Sequence, residues 1–268
     1  MKLVKCVFAF VVLVLAANAF AGWVITMSEK ESDGEISTEV LYIQNNKMKI
    51  VDPDGEVVIF DLDKGEVIII DHEKKAYFAG HPSELMGGVQ TAMMKAMEEQ
   101  LKNQPPEQRE MFKQYKEQMG QQAMTMPAET KKVKVDVKKT SEKATVAGYS
   151  VQKFQVWVDG KHREDLWVSA KVSIKNELDL NKLVEFMEGI RMPGVEEASY
   201  SSTSEYIGVM EQGFPLKSVK YRGDGKDTSE AVKVEKKNIP ASEFSPPKEY
   251  KRVEMEDMMK EMMGGLEE

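Results

Sequence analysis

The sequence predicts an α+β fold built on one antiparallel sheet. Two observations carry this. The stretch from Glu39 to Gly80 is a run of short apolar segments separated by Asp, Asn, Gly and Pro, which is a hairpin signal. Strand-like segments then return from Lys131, and helical periodicity is confined to separate blocks between and after them. No fixed-period repeat and no domain linker is present, so a single domain is expected.

In chain order, Trp23 to Ser28 alternates apolar and polar residues and opens as a strand. Gly34 interrupts, and Glu35 to Asn45 supplies the next. Lys47 to Val51 alternates lysine with apolar residues, so one face meets water. Val57 to Phe60 and Val67 to Ile70 are apolar without alternation, as in strands covered on both faces. Ala76 to Phe78 completes the run. Ser83 is an expected helix N-cap after Pro82, and Leu85, Val89, Met93, Met97 and Leu101 recur every four residues as an apolar stripe. Pro105-Pro106 ends that helix and starts another, and Gly120 to Thr130 reads as a mobile loop.

Val133, Val135 and Val137 mark a half-exposed strand. Asp159-Gly160-Lys161 joins two more, Tyr149 to Val158 and His162 to Val172. A short helix follows, with Leu180, Leu183, Val184 and Met187 on one side and a stop at Pro193-Gly194. The polar run Ser199 to Ser204 argues against helix at that point. Pro215 to Arg222 and Ser229 to Lys237 form a last strand pair, Pro240 to Pro247 a closing loop, and Met255, Met258, Met259 and Met262 a terminal amphipathic helix.

The first residues read as a targeting segment. Lys2 and Lys5 precede an apolar run from Cys6 to Ala17, and Ala19-Phe20-Ala21 supplies the small residues of a signal-peptide cleavage site. The run is short for a membrane span, so cleavage after Ala21 and export to the periplasm are expected in preference to an uncleaved anchor. The mature chain would lose Cys6, the single cysteine, and with it any disulfide, thiol nucleophile or thiolate site. Its formal charge would move from −8 to −8 − 2 = −10. An acidic chain with no basic stripe excludes nucleic acid as a partner and disfavours charge-driven adhesion to anionic lipid.

Several phrases occur together: Asn46-Lys47-Met48-Lys49, Phe60-Asp61 through Lys75-Ala76-Tyr77, Ala147-Gly148-Tyr149, Asp165-Leu166-Trp167-Val168-Ser169, Gly213-Phe214-Pro215-Leu216, and Ile239-Pro240-Ala241-Ser242-Glu243-Phe244. With the signal segment, they resemble a bacterial periplasmic family known as a domain of unknown function, which is similar to the LolA/LolB-type lipoprotein carriers. The resemblance implies a LolA-like fold: a strongly curved antiparallel sheet, an incomplete barrel, covered by helices over an apolar cavity. It implies the organisation 1–21 signal peptide, 22–252 sheet domain with a helical insert at about 83–126, and 253–268 methionine-rich helix and tail. The insert departs from the carriers.

The candidate ligand-binding residues are Ile25, Leu41, Ile43, Met48, Ile50, Phe60 and Trp167 from the strands, with Met93 and Met97 from the insert. Methionine suits a surface that adapts to varied apolar ligands. Each position could equally belong to a filled core. The expected partner is a lipid, acyl chain or other apolar small molecule, with an envelope protein as the alternative, engaged through the insert.

Other chemistry finds less support. Soft thioethers select Cu(I), and among 19 methionines Met124 and Met126 fall in an expected loop; most of the others sit at helical spacing, which argues for packing. His72 and His81 flank one strand, but no standard zinc spacing joins them to a carboxylate. There is no serine elbow and no phosphate loop. The sequence therefore predicts a non-catalytic protein with no cofactor.

Overall fold

The computed structural model describes residues 21–101, 133–190, 200–223 and 225–264. The signal segment, the second insert helix, the loop carrying Met124 and Met126, and the Pro193-Gly194 stop lie outside these residues. Among the described residues no helix is long and apolar enough to cross a membrane.

Among the described residues twelve strands form one sheet. They are β1 (Gly22–Lys30), β2 (Ile36–Gln44), β3 (Lys47–Val51), β4 (Val57–Asp61), β5 (Glu66–Asp71), β6 (Ala76–Gly80), β7 (Val135–Val146), β8 (Tyr149–Val158), β9 (Lys161–Ser169), β10 (Phe214–Arg222), β11 (Gly225–Lys237) and β12 (Lys251–Arg252). Their order is β12-β6-β5-β4-β3-β2-β1-β11-β10-β9-β8-β7. The sheet is large, curved and unclosed, with β12 and β7 at its edges. Every pairing is antiparallel except the two-residue β12, which runs parallel to β6.

Tight turns set the registers. Asn45-Asn46, Ala147-Gly148 and Asp159-Gly160 each place two consecutive residues at positive φ, the geometry of a two-residue hairpin turn whose twist matches the strands it joins. The helices among the described residues are α1 (Pro82–Leu101), α2 (Leu180–Ile190), α3 (Ser204–Met210) and α4 (Met255–Gly264), with a 3₁₀ turn at Ala241–Phe244. Thr203 caps α3 by accepting a hydrogen bond from the Tyr206 amide, so the helix starts at Ser204, the last residue of the polar run.

The described residues fall into two compact units. One takes the chain up to Pro82 together with Val133–Arg252; the other takes the residues from Ser83 and from Val253 onward.

In the first unit the sheet has two distinct faces. Cross-strand partners project to the same side. Face one carries Trp23, Ile25, Leu41, Ile43, Met48, Ile50, Val58, Phe60, Val67, Ile69 and Phe78, paired strand by strand from β1 to β6. It continues on the far strands through Ser218 and Leu166 to Phe154. Helix α2 covers part of it, with Phe186 packed edge-on against Phe60 at 5.4 Å between ring centres. Further along, Tyr200 and Val209 pack on Phe154, Val156, Val158, Leu166 and Val168.

On face two, Val24, Val57, Ile59, Ile68, Ile70 and Ala79 form a core with Ile239 and Phe244 from the closing loop. Gln44 clamps that loop. Its Oε1 accepts from the amides of Gly22 and Ile239, and its Nε2 donates to the Ile239 carbonyl. The non-alternating β4 and β5 thus carry apolar side chains on both sides, buried on face two and on face one except at Val58 and Ile69.

In the second unit, α1 and α4 approach closely. A Cβ on Gly88 would come 2.6 Å from the Met255 Cβ, so only glycine fits. Leu85, Ala92, Met255 and Met258 are buried. Lys95 pairs with Glu256. The buried line on α1 therefore runs Leu85, Gly88, Ala92, and the expected stripe through Val89, Met93 and Met97 does not hold. Four residues advance about 400° at 3.6 residues per turn, so a strict four-residue repeat rotates by about 40° at each step and leaves the contact line.

Candidate ligand-binding face

The face-one residues come from strands whose alternation places every second side chain on that side. Trp23, Ile25, Leu41, Ile43, Phe60, Val67 and Phe78 are buried, Ile25, Ile43 and Val67 completely. Met48, Ile50, Val58 and Ile69 are only half-buried. Ile50 pairs directly with Val58 and Val58 with Ile69, and Met48 lies two residues from Ile50 on the same strand. These four side chains form a contiguous, part-exposed apolar row across β3, β4 and β5.

Six of the residues expected to line a cavity share this face: Ile25, Leu41, Ile43, Met48, Ile50 and Phe60. Trp167 does not. Its strand partners are Lys153 and Lys217, and the register carries it to face two, beside Val24's side of the sheet. Alternation within β9 put it on one of two faces; the pairing across β10, β11 and β1 decides which. Met93 and Met97 belong to the second unit and are exposed, 59% and 46%.

Two further residues of face one escaped sequence reasoning. Glu39 pairs with Met27 beyond the apolar row. Burial, followed by the charge of Glu29, raises its pKa above the usual glutamate value, with Lys220 opposing. Glu164, fully buried, accepts a hydrogen bond from the Tyr200 hydroxyl. An acidic residue inside an alternating strand was the available signal.

Face two of the far strands is polar and organised around buried Asp165. His162 Nε2, the Tyr221 hydroxyl and Lys153 Nζ lie 2.8, 2.9 and 3.0 Å from its carboxylate oxygens. Trp157 stacks on His162 at 5.0 Å, and Lys153 and Lys217 lie over the Trp167 ring. Burial, then the bond to Asp165, raises the Tyr221 pKa. Burial works against the Lys153 ammonium, yet Asp165 and Glu142 hold its pKa above the ordinary lysine value. Each partner satisfies another, so the cluster braces strands.

His72 bonds to the Tyr250 hydroxyl at 2.9 Å and is exposed. Among the described residues no group of three or more His, Cys, Asp or Glu side chains could hold a metal ion.

The model of the family "Domain of unknown function (DUF4412)" matches residues 79–250. The chain belongs to this family. In this DUF4412 member the match runs from the end of β6 through α1, the insert and β7–β11 to the closing loop. Among curated proteins none matches. Similar solved structures include an uncharacterised conserved protein from Thermus thermophilus, at 10% identity over 88% of this chain and 91% of that one, TM-score 0.42. They include the Pseudomonas aeruginosa MucA/MucB complex, at 13% identity over 88% and 59%, TM-score 0.39. A LolA superfamily protein from Nitrosomonas europaea aligns at 4% identity over 84% and 90%, TM-score 0.29. At these scores the likeness is loose.

Proposed function

We propose that this DUF4412 protein is an exported, non-catalytic binding protein of the periplasm that holds a lipid, acyl chain or other apolar ligand on face one of its sheet. The observation that carries the reading is the part-exposed row Met48, Ile50, Val58 and Ile69, set among buried neighbours on an unclosed sheet. Apolar side chains so placed gain from being covered, at about 25 cal/mol per Å² removed from water. Methionine at one end of the row adapts to variable chain shapes. The signal-like first residues support export.

A fluorescent fatty acid tests this. The wild-type protein is expected to take it up saturably, and Ile50→Glu, which sets a carboxylate in the middle of the row, to weaken uptake about tenfold or more. Absence of uptake by wild type, or equal uptake by Ile50→Glu, would overturn the reading.

A second reading is an envelope interaction protein that works through its methionine-rich insert. Exposed Met93 and Met97 favour it.

A further inference from the structure

We propose that Met93, Met94 and Met97 on α1 form a three-thioether site for a soft monovalent cation, Cu(I) or Ag(I). The helix sets the geometry. With Met93 at 0°, Met94 stands at about 100° and Met97 at about 40°, one turn further on. Met97 is therefore the i+4 neighbour of Met93 and the i+3 neighbour of Met94, with Cβ atoms about 5–6 Å apart in each pair. Three flexible thioethers at that spacing can turn their sulfurs toward one ion lying over the helix surface. Thioether sulfur selects Cu(I) among biological metals.

The structure supplies what the sequence lacked. Met93 and Met97 are exposed, so their sulfurs are not consumed by packing, and Met94 is half-buried beside them. The packing of α1 is carried by another line, Leu85, Gly88 and Ala92, with Met255 against Gly88. Lys95, between these methionines in sequence, stands about 200° from Met93 and is engaged by Glu256, which keeps its charge off the thioether side. The site stands independently of the apolar ligand.

The test is an Ag(I) titration of the purified protein with ¹³C-methyl-labelled methionine, followed by NMR. Single Met→Leu variants assign the three methyl resonances. The first equivalent of Ag(I) is expected to shift those three together, and the variant carrying Met93→Leu, Met94→Leu and Met97→Leu to take up one equivalent fewer than wild type. Leucine keeps volume and helix propensity, so the variant is expected to retain its helical circular dichroism. If other methionine resonances shift first while these three stay in place, or if the triple variant takes up the same number of equivalents with unchanged affinity, the site is wrong.

Discussion

The near strands, β1 to β6, and the far strands, β7 to β10, belong to one sheet but hold themselves together differently. In the near half both faces are apolar; face two is covered by Ile239 and Phe244, and face one only in part, by α2. In the far half face one is apolar, while face two carries Asp165, Lys153, Tyr221 and His162 with the Trp157 and Trp167 rings in a mutually contacting set. The lesson is that a sheet needs no helix on a face where long cationic side chains can lie across aromatic ones and a buried carboxylate anchors their heads. Packing holds the near half, and charge and hydrogen bonding brace the far half.

Substitutions can break this contrast. Ile59, fully buried on face two of the near half, is expected to show the largest effect: Ile59→Ala should cost about 4 kcal/mol in denaturant unfolding, from lost burial plus the cavity. A loss below about 1 kcal/mol would mean that the near core collapses freely around the gap.

Asp165→Ala should cost about 3 kcal/mol, because it strands Lys153, His162 and Tyr221 around a missing carboxylate. Asp165→Asn, whose amide oxygen still accepts, should recover part of that. Equal stability of Asp165→Ala and wild type would reduce the network to surface decoration.

Glu39 sharpens the contrast through pH. Its pKa is raised when folded, so the folded chain holds that proton more tightly than the unfolded one. Stability therefore falls as pH rises from the ordinary glutamate range through the raised folded value, and protonation on acidification restores it. Glu39→Gln should flatten the slope above the ordinary glutamate range and be relatively more stable at the higher pH. An unchanged slope would show that Glu39 is solvated like any surface carboxylate.

Much of the fold was legible because strand and turn signals are local. β3 and β8 match their expected bounds, and the Asn45-Asn46 and Asp159-Gly160 turns have the positive φ their residue types favour. Three things were not legible. The second half of β7, from Lys139 to Thr145, lies at a sheet edge and is largely exposed, so no period-two apolar pattern marks it. The parallel β12 is two residues long and owes its existence to the strand beside it. The expected strand His162 to Val172 stops at Ser169, where the chain turns and Val172 accepts from the Phe214 amide instead.

The candidate site divides the same way. Ile25, Leu41, Ile43, Met48, Ile50 and Phe60 came together because they sit on adjacent antiparallel strands with short turns, where parity carries across. Trp167 was separated from them by long connections and by register shifts between β1 and β11 and between β10 and β9, which no local pattern encodes.

The central claim is that face one holds an apolar ligand. Native mass spectrometry of the purified protein, followed by solvent extraction, tests it most directly. A stoichiometric lipid or fatty acid on the wild type, lost from Ile50→Glu, is the expected result. A bare protein that also leaves a fluorescent fatty acid unbound would contradict it and shift attention to the exposed methionines of the insert.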